Sequence, residues 1–326
     1  MTLYIVRRII NYLILTAVAS SLAYMLASVG LNPVWQFESR HPRPPQSSID
    51  QLLNTWGVNP QVPLIQRTWT WFINIFHGDL GLTVANHPVS QQLAVRAGVS
   101  LQLLLVGSIL GAVLGVILGV WGAVRQYKLS DQVVTTLSYI VFATPIFVMA
   151  ILLMILATEL NNLLGVQLIT FSGQYSASAA PDFWSQFWDR VSHALLPTIV
   201  LAIAGAASYS RYQRNAMLDV LGADYIRTAR SKGRTRGSAL VRHGVRIALI
   251  PMSTFFAYSF GTLVAGSAML EIVFSWHGMG ELAITSIQQN DINSVAGSTL
   301  FVAILILCSS TLSEILYAAL DPRVRR

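Results

Sequence analysis

Charge is what this chain has least of. Only 11% of its 326 residues are Asp, Glu, Lys or Arg, against roughly 25% in an ordinary globular chain. With 54% hydrophobic residues and a mean hydropathy of +0.57, the charge present cannot coat a water-facing surface. Cysteine is almost missing as well: the single Cys308 excludes a disulfide framework within the chain. There is no Gly-x4-Gly-Lys-Ser/Thr stretch, so ATP cannot be held on a phosphate loop of that type. The six histidines (His41, His77, His87, His193, His243 and His277) are scattered, with no metal-ligand spacing and no nucleophile beside a base. A resident metal and a hydrolytic centre of these kinds are therefore not expected.

What is there is a set of long uncharged runs. Six long, predominantly apolar windows lack Asp, Glu, Lys and Arg altogether: 9–37, 97–124, 132–158, 191–210, 247–270 and 292–313. About 20 apolar residues, at ~1.5 Å rise each, cross a ~30 Å hydrocarbon core, so each window is long enough. The apolar part of the first is 9–31, ended by Asn32-Pro33. It follows Arg7-Arg8 but exceeds the ~7–15 residues of a signal-peptide core, so an uncleaved helix is expected. The expectation is an all-α, polytopic membrane protein with six transmembrane helices.

The few charges orient it. With the amino terminus in the cytoplasm, the inner segments 1–8, 125–131, 211–246 and 320–326 carry 2, 2, 9 and 3 Lys or Arg, which is 16 of the 21. Arg40, Arg43, Arg67, Arg96 and Arg190 fall outside, with nine of the fourteen acids, Glu159, Glu271 and Asp291 among them. Basic residues stay inside, so both termini are expected to be cytoplasmic. The net charge of +7 follows from loop placement and does not call for a nucleic-acid partner.

Within the spans, Gly107, Gly111, Gly115 and Gly119 recur every four residues along one helix face, a pattern that lets another backbone approach closely. Thr144-Pro145 falls mid-span, where a kink is expected; Pro197 and Pro251 read as tolerated first-turn prolines. No ionisable group occupies the middle of a span, which argues against an internal proton relay or a voltage sensor.

The outer segment 32–96 is too long for a simple connector. It carries a Pro-rich stretch, 41–45, and then Trp69, Trp71, Phe72 and Phe76, read as an interfacial segment. Phe183, Trp184, Phe187 and Trp188 in the second outer loop read as a short amphipathic helix anchored the same way. The inner loop is more specific. Gly222 breaks the chain, Asp224 is a good N-cap, 225–232 form two turns and Gly233 suits a left-handed C-cap. Ile226, Ala229 and Gly233 make a narrow ridge flanked by Arg227, Arg230 and Lys232. Such a ridge fits a groove on a partner protein. A basic loop that obeys the charge rule, or touches anionic lipid, is equally open at this point.

The stretch Asp224-Tyr225-Ile226-Arg227-Thr228-Ala229-Arg230-Ser231-Lys232-Gly233, with Arg242-His243 and Ala248-Leu249-Ile250-Pro251, resembles the coupling loop of ABC importer permeases, most of all their peptide, nickel and opine branch. Where the general motif has Glu-Ala-Ala, this chain has Arg227-Thr228-Ala229, and the gap to Pro251 is longer than in sugar permeases; both departures resemble the peptide branch. Arg7-Arg8, Gly78-Asp79-Leu80-Gly81, the stretch 271–280 (with His277 in place of a usual proline) and Asp321-Pro322-Arg323 look like that branch too. The resemblance covers nearly the whole chain and is strongest from about residue 95.

The resemblance implies a type I permease fold: a first helix and long outer loop in 1–95, and a five-helix core in 96–326 with its coupling loop at 211–247. It implies Asp224, Tyr225, Arg227, Ala229, Arg230 and Gly233 as an ATPase-coupling helix, and leaves the substrate-binding residues unassigned. It implies a second homologous permease subunit, two cytoplasmic ATPase subunits or domains that bind ATP and Mg, and an extracytoplasmic peptide-binding protein. The setting would be the lipid bilayer of a bacterial plasma membrane, and this chain would hold no cofactor. Oligopeptide import is the leading expectation. Dipeptide or nickel import, an ion-coupled secondary transporter and a scaffolding membrane protein are the alternatives.

Overall fold

A chain this poor in charge satisfies its backbone polar groups inside helices when it enters lipid. The structure is a computed structural model that describes residues 2–38, 41–176 and 181–320. Arg40 and the Asp321-Pro322-Arg323 stretch lie outside the described residues. In chain order the helices are α1 (Thr2–Gly30), α2 (Trp35–Glu38), α3 (Gln46–Trp56), α4 (Leu64–Ile75) and α5 (Val89–Val124). They continue with α6 (Leu129–Ala143), α7 (Ile146–Leu164), α8 (Phe183–Leu221), α9 (Asp224–Ser231) and α10 (Arg236–Ala239). A π-helical stretch, Leu240–Val245, leads to α11 (Arg246–Ala248), α12 (Ile250–Val273), α13 (Met279–Gln288) and α14 (Ile292–Leu320). Among the described residues, extended pairing is confined to an isolated antiparallel bridge between Leu82 and Pro88.

Each uncharged window contains helix, and the chain is a multi-pass membrane protein. Five described helices are long and apolar enough to cross a bilayer: Arg7–Glu38, Val89–Val124, Ile146–Leu164, Phe183–Leu221 and Ile292–Tyr317. The third window is broken, not kinked. Thr144 and Pro145 are both extended (ψ 123° and 138°), so α6 ends before them and α7 starts after them. Pro251 does fall in the first turn of α12. Pro197 does not fall in a first turn: α8 begins fourteen residues earlier, at Phe183, and carries the proline in its interior. The Asp182 carboxylate accepts the Ser185 N–H at 2.9 Å and caps α8 ahead of the aromatic cluster. Phe183, Trp184, Phe187 and Trp188 are thus the exposed first turns of a long helix, not a separate interfacial one.

The chain divides into two compact units, Met1–Leu101 with His277–Cys308, and Gln102–Trp276 with Ser309–Arg326. In the first, the segment after α1 is a folded element with its own core. Tyr24, Phe37, Leu53, Trp56, Trp71 and Met279 lie at its centre. Trp71 stacks on Tyr24 (5.0 Å between ring centroids) and donates its indole N–H to the Leu80 carbonyl at 3.3 Å. Trp71 is therefore a core residue, whereas Trp69 and Phe76 stay exposed. The Gly78-Asp79-Leu80-Gly81 stretch is a turn in which Asp79 Oδ1 accepts the Gly81 N–H at 2.8 Å. At Gly81 the backbone is left-handed (φ +86°), and a Cβ would stand 2.6 Å from Asn293 Nδ2, so only glycine fits. That amide of Asn293 donates to the Trp56 and Leu82 carbonyls at 2.7 and 2.9 Å. Beside it Asp291 caps α14, accepting the Ser294 N–H and hydroxyl and the Val84 N–H. Burial pushes the Asp291 carboxyl up from its ordinary value, against the pull of those donors.

The second unit is built around α8. A Cβ on Gly107 would meet Leu201 at 2.6 Å, one on Gly111 would meet the Ala202 carbonyl at 3.1 Å, and one on Gly115 would meet Tyr209 Cβ at 2.4 Å. One on Gly119 would stand 2.6 Å from the Ser210 carbonyl. Opposite Gly111 lies Gly205, whose own Cβ would come within 3.2 Å of Gly111 Cα. The two helices therefore touch backbone to backbone, which small residues alone permit.

Gly119→Ala should lower the thermal unfolding midpoint in detergent, at a cost of about 1–3 kcal/mol for overpacking. Gly98→Ala, on the same helix but with no atom within 4 Å of the new Cβ, should leave the midpoint unchanged or raise it. Equal effects at the two positions would refute the packing role.

Candidate functional site: the basic segment between α8 and α12

The segment after the basic end of α8 is shaped by three local choices. Gly222 closes α8, Ala223 is extended (ψ 142°), and the chain turns within two residues into α9. Asp224 is the first helical residue of α9 and Ala223 holds the cap position, so the expected Asp224 N-cap bond is not formed. Its acid instead occupies the first turn, where it suits the helix dipole. Lys232 ends the helix, and Gly233 follows in the left-handed region at φ +84°. The Gly233 N–H donates to the Arg230 carbonyl at 3.0 Å.

Ile226 decides which way α9 faces. It is 4% exposed and packs with Ala123, Met217, Val220, Leu240 and Ala248. Gly244 of the π-helical stretch closes the same cluster, its Cβ position 3.0 Å from Val220 Cγ1 and 3.7 Å from Ile226 Cδ1. The ridge read from the sequence is corrected here. Ile226 points into its own chain, because burying an isoleucine is worth about 1.5–3 kcal/mol. Ala229 is half-buried, and what faces outward is Asp224, Tyr225, Arg227, Thr228, Arg230, Ser231 and Lys232.

The outward face is cationic and its threonine and serine hydroxyls are already used. Thr228 donates to the Asp224 carbonyl at 3.0 Å and Ser231 to the Thr228 carbonyl at 2.9 Å. Arg227 lies 3.8 Å from Asp224, but the side chains are 77% and 95% exposed, so the pair contributes little. Partial burial raises the Tyr225 phenol above its ordinary value, so it stays neutral and can donate. The segment thus offers a short, firmly seated helix with solvent-facing guanidinium and ammonium groups. Gly233 borders open space: no atom lies within 4 Å of the point a Cβ would occupy there.

The other expected site residues lie elsewhere. Gly107, Gly111, Gly115 and Gly119 are the α5 face against α8 described above. His277 is at φ +50°, a conformation closed to proline, and its ring nitrogen is 2.9 Å from Glu281 Oε2. Sequence reasoning missed a charged contact two turns before the end of α8. Arg214 of α8 grips Asp131 at the start of α6, Nε to Oδ1 and Nη2 to Oδ2, both 2.7 Å. It also missed Arg211, ten residues before the end of α8, whose guanidinium lies 3.8 Å from the centroid of the Phe142 ring. Glu271, read as an outer-loop acid, is wholly buried in the last turn of α12.

Comparison with known proteins follows the same outline. Residues 91–326 match the family described as binding-protein-dependent transport system inner membrane component. The chain is 49% identical to the oligopeptide transport system permease protein OppB of Mycobacterium tuberculosis, over 100% of this chain and 99% of that protein. It is 33% identical to the oligopeptide transport system permease protein AppB of Bacillus subtilis, over 87% of each. Against the dipeptide transport system permease protein DppB of Escherichia coli it is 32% identical over 84% of each.

Ile226→Ala should loosen α9 by about 2–5 kcal/mol, the usual cost of emptying a buried aliphatic site. Amide hydrogen exchange over 224–231 should accelerate while α5 and α8 keep their protection. Unchanged exchange in α9 would show that Ile226 is not its anchor.

Proposed function

This chain belongs to the family of binding-protein-dependent transport system inner membrane components, and we propose that it is the first permease subunit of an ATP-driven oligopeptide importer. The observation that carries the reading is similarity along the whole length to a permease of that substrate class, joined to a seated helix with an exposed basic face. In this reading the chain crosses a bacterial plasma membrane six times, with both termini in the cytoplasm. It lines half of a path shared with a second, homologous permease. Peptide arrives on an extracytoplasmic binding protein, and two ATPase subunits or domains bind ATP and Mg below.

The geometry of α9 supports this division of roles. Arg227 and Arg230 supply cationic contacts to an ATPase surface, and Tyr225 a neutral phenol. Asp224 favours the helix start, and Ala229 with Gly233 keeps the approach narrow. When ATP draws the ATPase subunits together, α9 is displaced, and the permease halves exchange outward for inward access. A proton relay in the spans is not needed, because the driving energy enters through the cytoplasmic face.

Gly233 separates shape from conformation. Its left-handed backbone disfavours a side chain by about 1 kcal/mol, but asparagine tolerates that region better than most residues. If a partner must approach closely, Gly233→Asn and Gly233→Asp should both reduce peptide uptake more than tenfold in proteoliposomes, with the complex still assembled. Normal uptake by the Asn variant would show that the position needs only its backbone conformation. Failure of the wild-type chain to co-purify with ATPase subunits, or to support peptide-stimulated ATP hydrolysis, would overturn the importer reading itself.

A further inference from the structure

The contact between Asp131 and Arg214 is built more completely than topology requires. The Asp131 side chain is 3% exposed and that of Arg214 is 22% exposed. Besides the two-point grip of Arg214, the carboxylate accepts the Tyr127 N–H at 3.0 Å and the Thr135 hydroxyl at 3.4 Å. Tyr127 delivers its N–H from a left-handed backbone (φ +65°), unusual for an aromatic residue. Gly122 makes room, since a Cβ there would stand 3.0 Å from Asp131 Oδ1. Four donors thus converge on one buried carboxylate.

Two further contacts continue up the same pair of helices. Ser138 and Ser210 share a hydroxyl hydrogen bond at 3.1 Å. Above it Arg211 lies over the rings of Phe142 and Tyr139, at 3.8 and 5.2 Å from their centroids. α6 is therefore tied to α8 at its first turn, its middle and its last turn. Directly beyond Phe142 the chain breaks at Thr144-Pro145, where proline has no N–H to continue the ladder. α8, by contrast, runs unbroken from these contacts to Leu221, and Met217 and Val220 on it hold Ile226 of α9.

We propose that Asp131 and Arg214 are positioning residues for transport: they clamp α6 to α8 and α9, so that α6 moves with the coupling helix while the Thr144-Pro145 break lets α7 stay behind. The inference rests on the reading of α9 as the point where ATPase motion enters. A displacement of α9 pushes the end of α8, and the Arg214 fork passes it to Asp131 without the slack of a single hydrogen bond. α6 has 15 residues, about 22 Å of helix, so it falls short of a ~30 Å span and ends at the break, which frees it to move with α8.

The test uses the assembled transporter in proteoliposomes, with peptide-loaded binding protein. In a Cys308→Ser background, spin labels go on three exposed positions: Val133 on α6, Ile155 on α7 and Val241 on the π-helical stretch, whose Leu240 and Gly244 pack at Ile226 of α9. Between the nucleotide-free and ATP-trapped states the 133–241 distance should stay constant while the 155–241 distance changes. A change in 133–241 overturns the clamp. No change in either pair, in a transporter that takes up peptide, overturns the hinge and with it the proposal. Asp131→Asn and Arg214→Gln should keep peptide-stimulated ATP hydrolysis within about twofold but lower the peptide delivered per ATP at least tenfold. The exchange Asp131→Arg with Arg214→Asp should restore part of that ratio. If hydrolysis and uptake fall in proportion, the pair is only structural and the proposal fails. Absence of ATP-dependent uptake in the unsubstituted protein would instead remove the importer reading, and it shows before any variant is made.

Discussion

Backbone contact between α5 and α8 is the constraint on which the second unit rests. Four glycines at spacing four remove every side chain from one face of α5, and Gly205 removes one from α8 at the closest point. In lipid there is little hydrophobic gain from bringing two apolar helices together, so close packing has to supply the association. Once α8 is fixed in this way its C-terminal end is fixed as well. Arg214 then reaches Asp131, Met217 and Val220 form the floor under Ile226, and the short α9 is held at a defined angle. A helix of eight residues has little stability by itself, and its order comes from that floor.

The long apolar helices were legible because uncharged length marks them, while the count of Lys and Arg supplies only the expected orientation. Charge-free windows are poorer guides to helix boundaries. α8 begins before its window and ends eleven residues after it, since helix continues through the interface and beyond. Pro197 became interior for that reason alone, and the aromatic cluster at 183–188 became part of the same helix. At Thr144-Pro145 the error was one of degree. A proline after a residue that also takes extended backbone divides the span, whereas proline alone would bend it.

The α9 segment was legible in its ends but not in its facing. Gly222 and Gly233 punctuate α9 as expected, because these signals are local. The direction of Ile226 is set by Met217, Val220, Leu240 and Ala248, and a helical pattern of eight residues cannot say whether its apolar residue meets its own chain or a partner. The Asp131–Arg214 contact joins residues 83 apart, and in sequence each reads as an ordinary loop charge. The outer segment of the first unit shows the same limit. Trp69, Trp71 and Phe76 look alike by composition, yet Trp71 alone of these three is buried, because Tyr24 of α1 lies against it.

The account depends on α9 meeting an ATPase subunit, and the scarcity of cysteine makes that contact directly measurable. With Cys308→Ser removing the chain's own thiol, Arg227→Cys places a single reactive group on the exposed face of α9. In the assembled transporter a short thiol-directed cross-linker on residue 227 should capture an ATPase subunit, in an amount that changes when ATP is bound. An assembled, active transporter in which residue 227 captures no ATPase subunit would contradict the account.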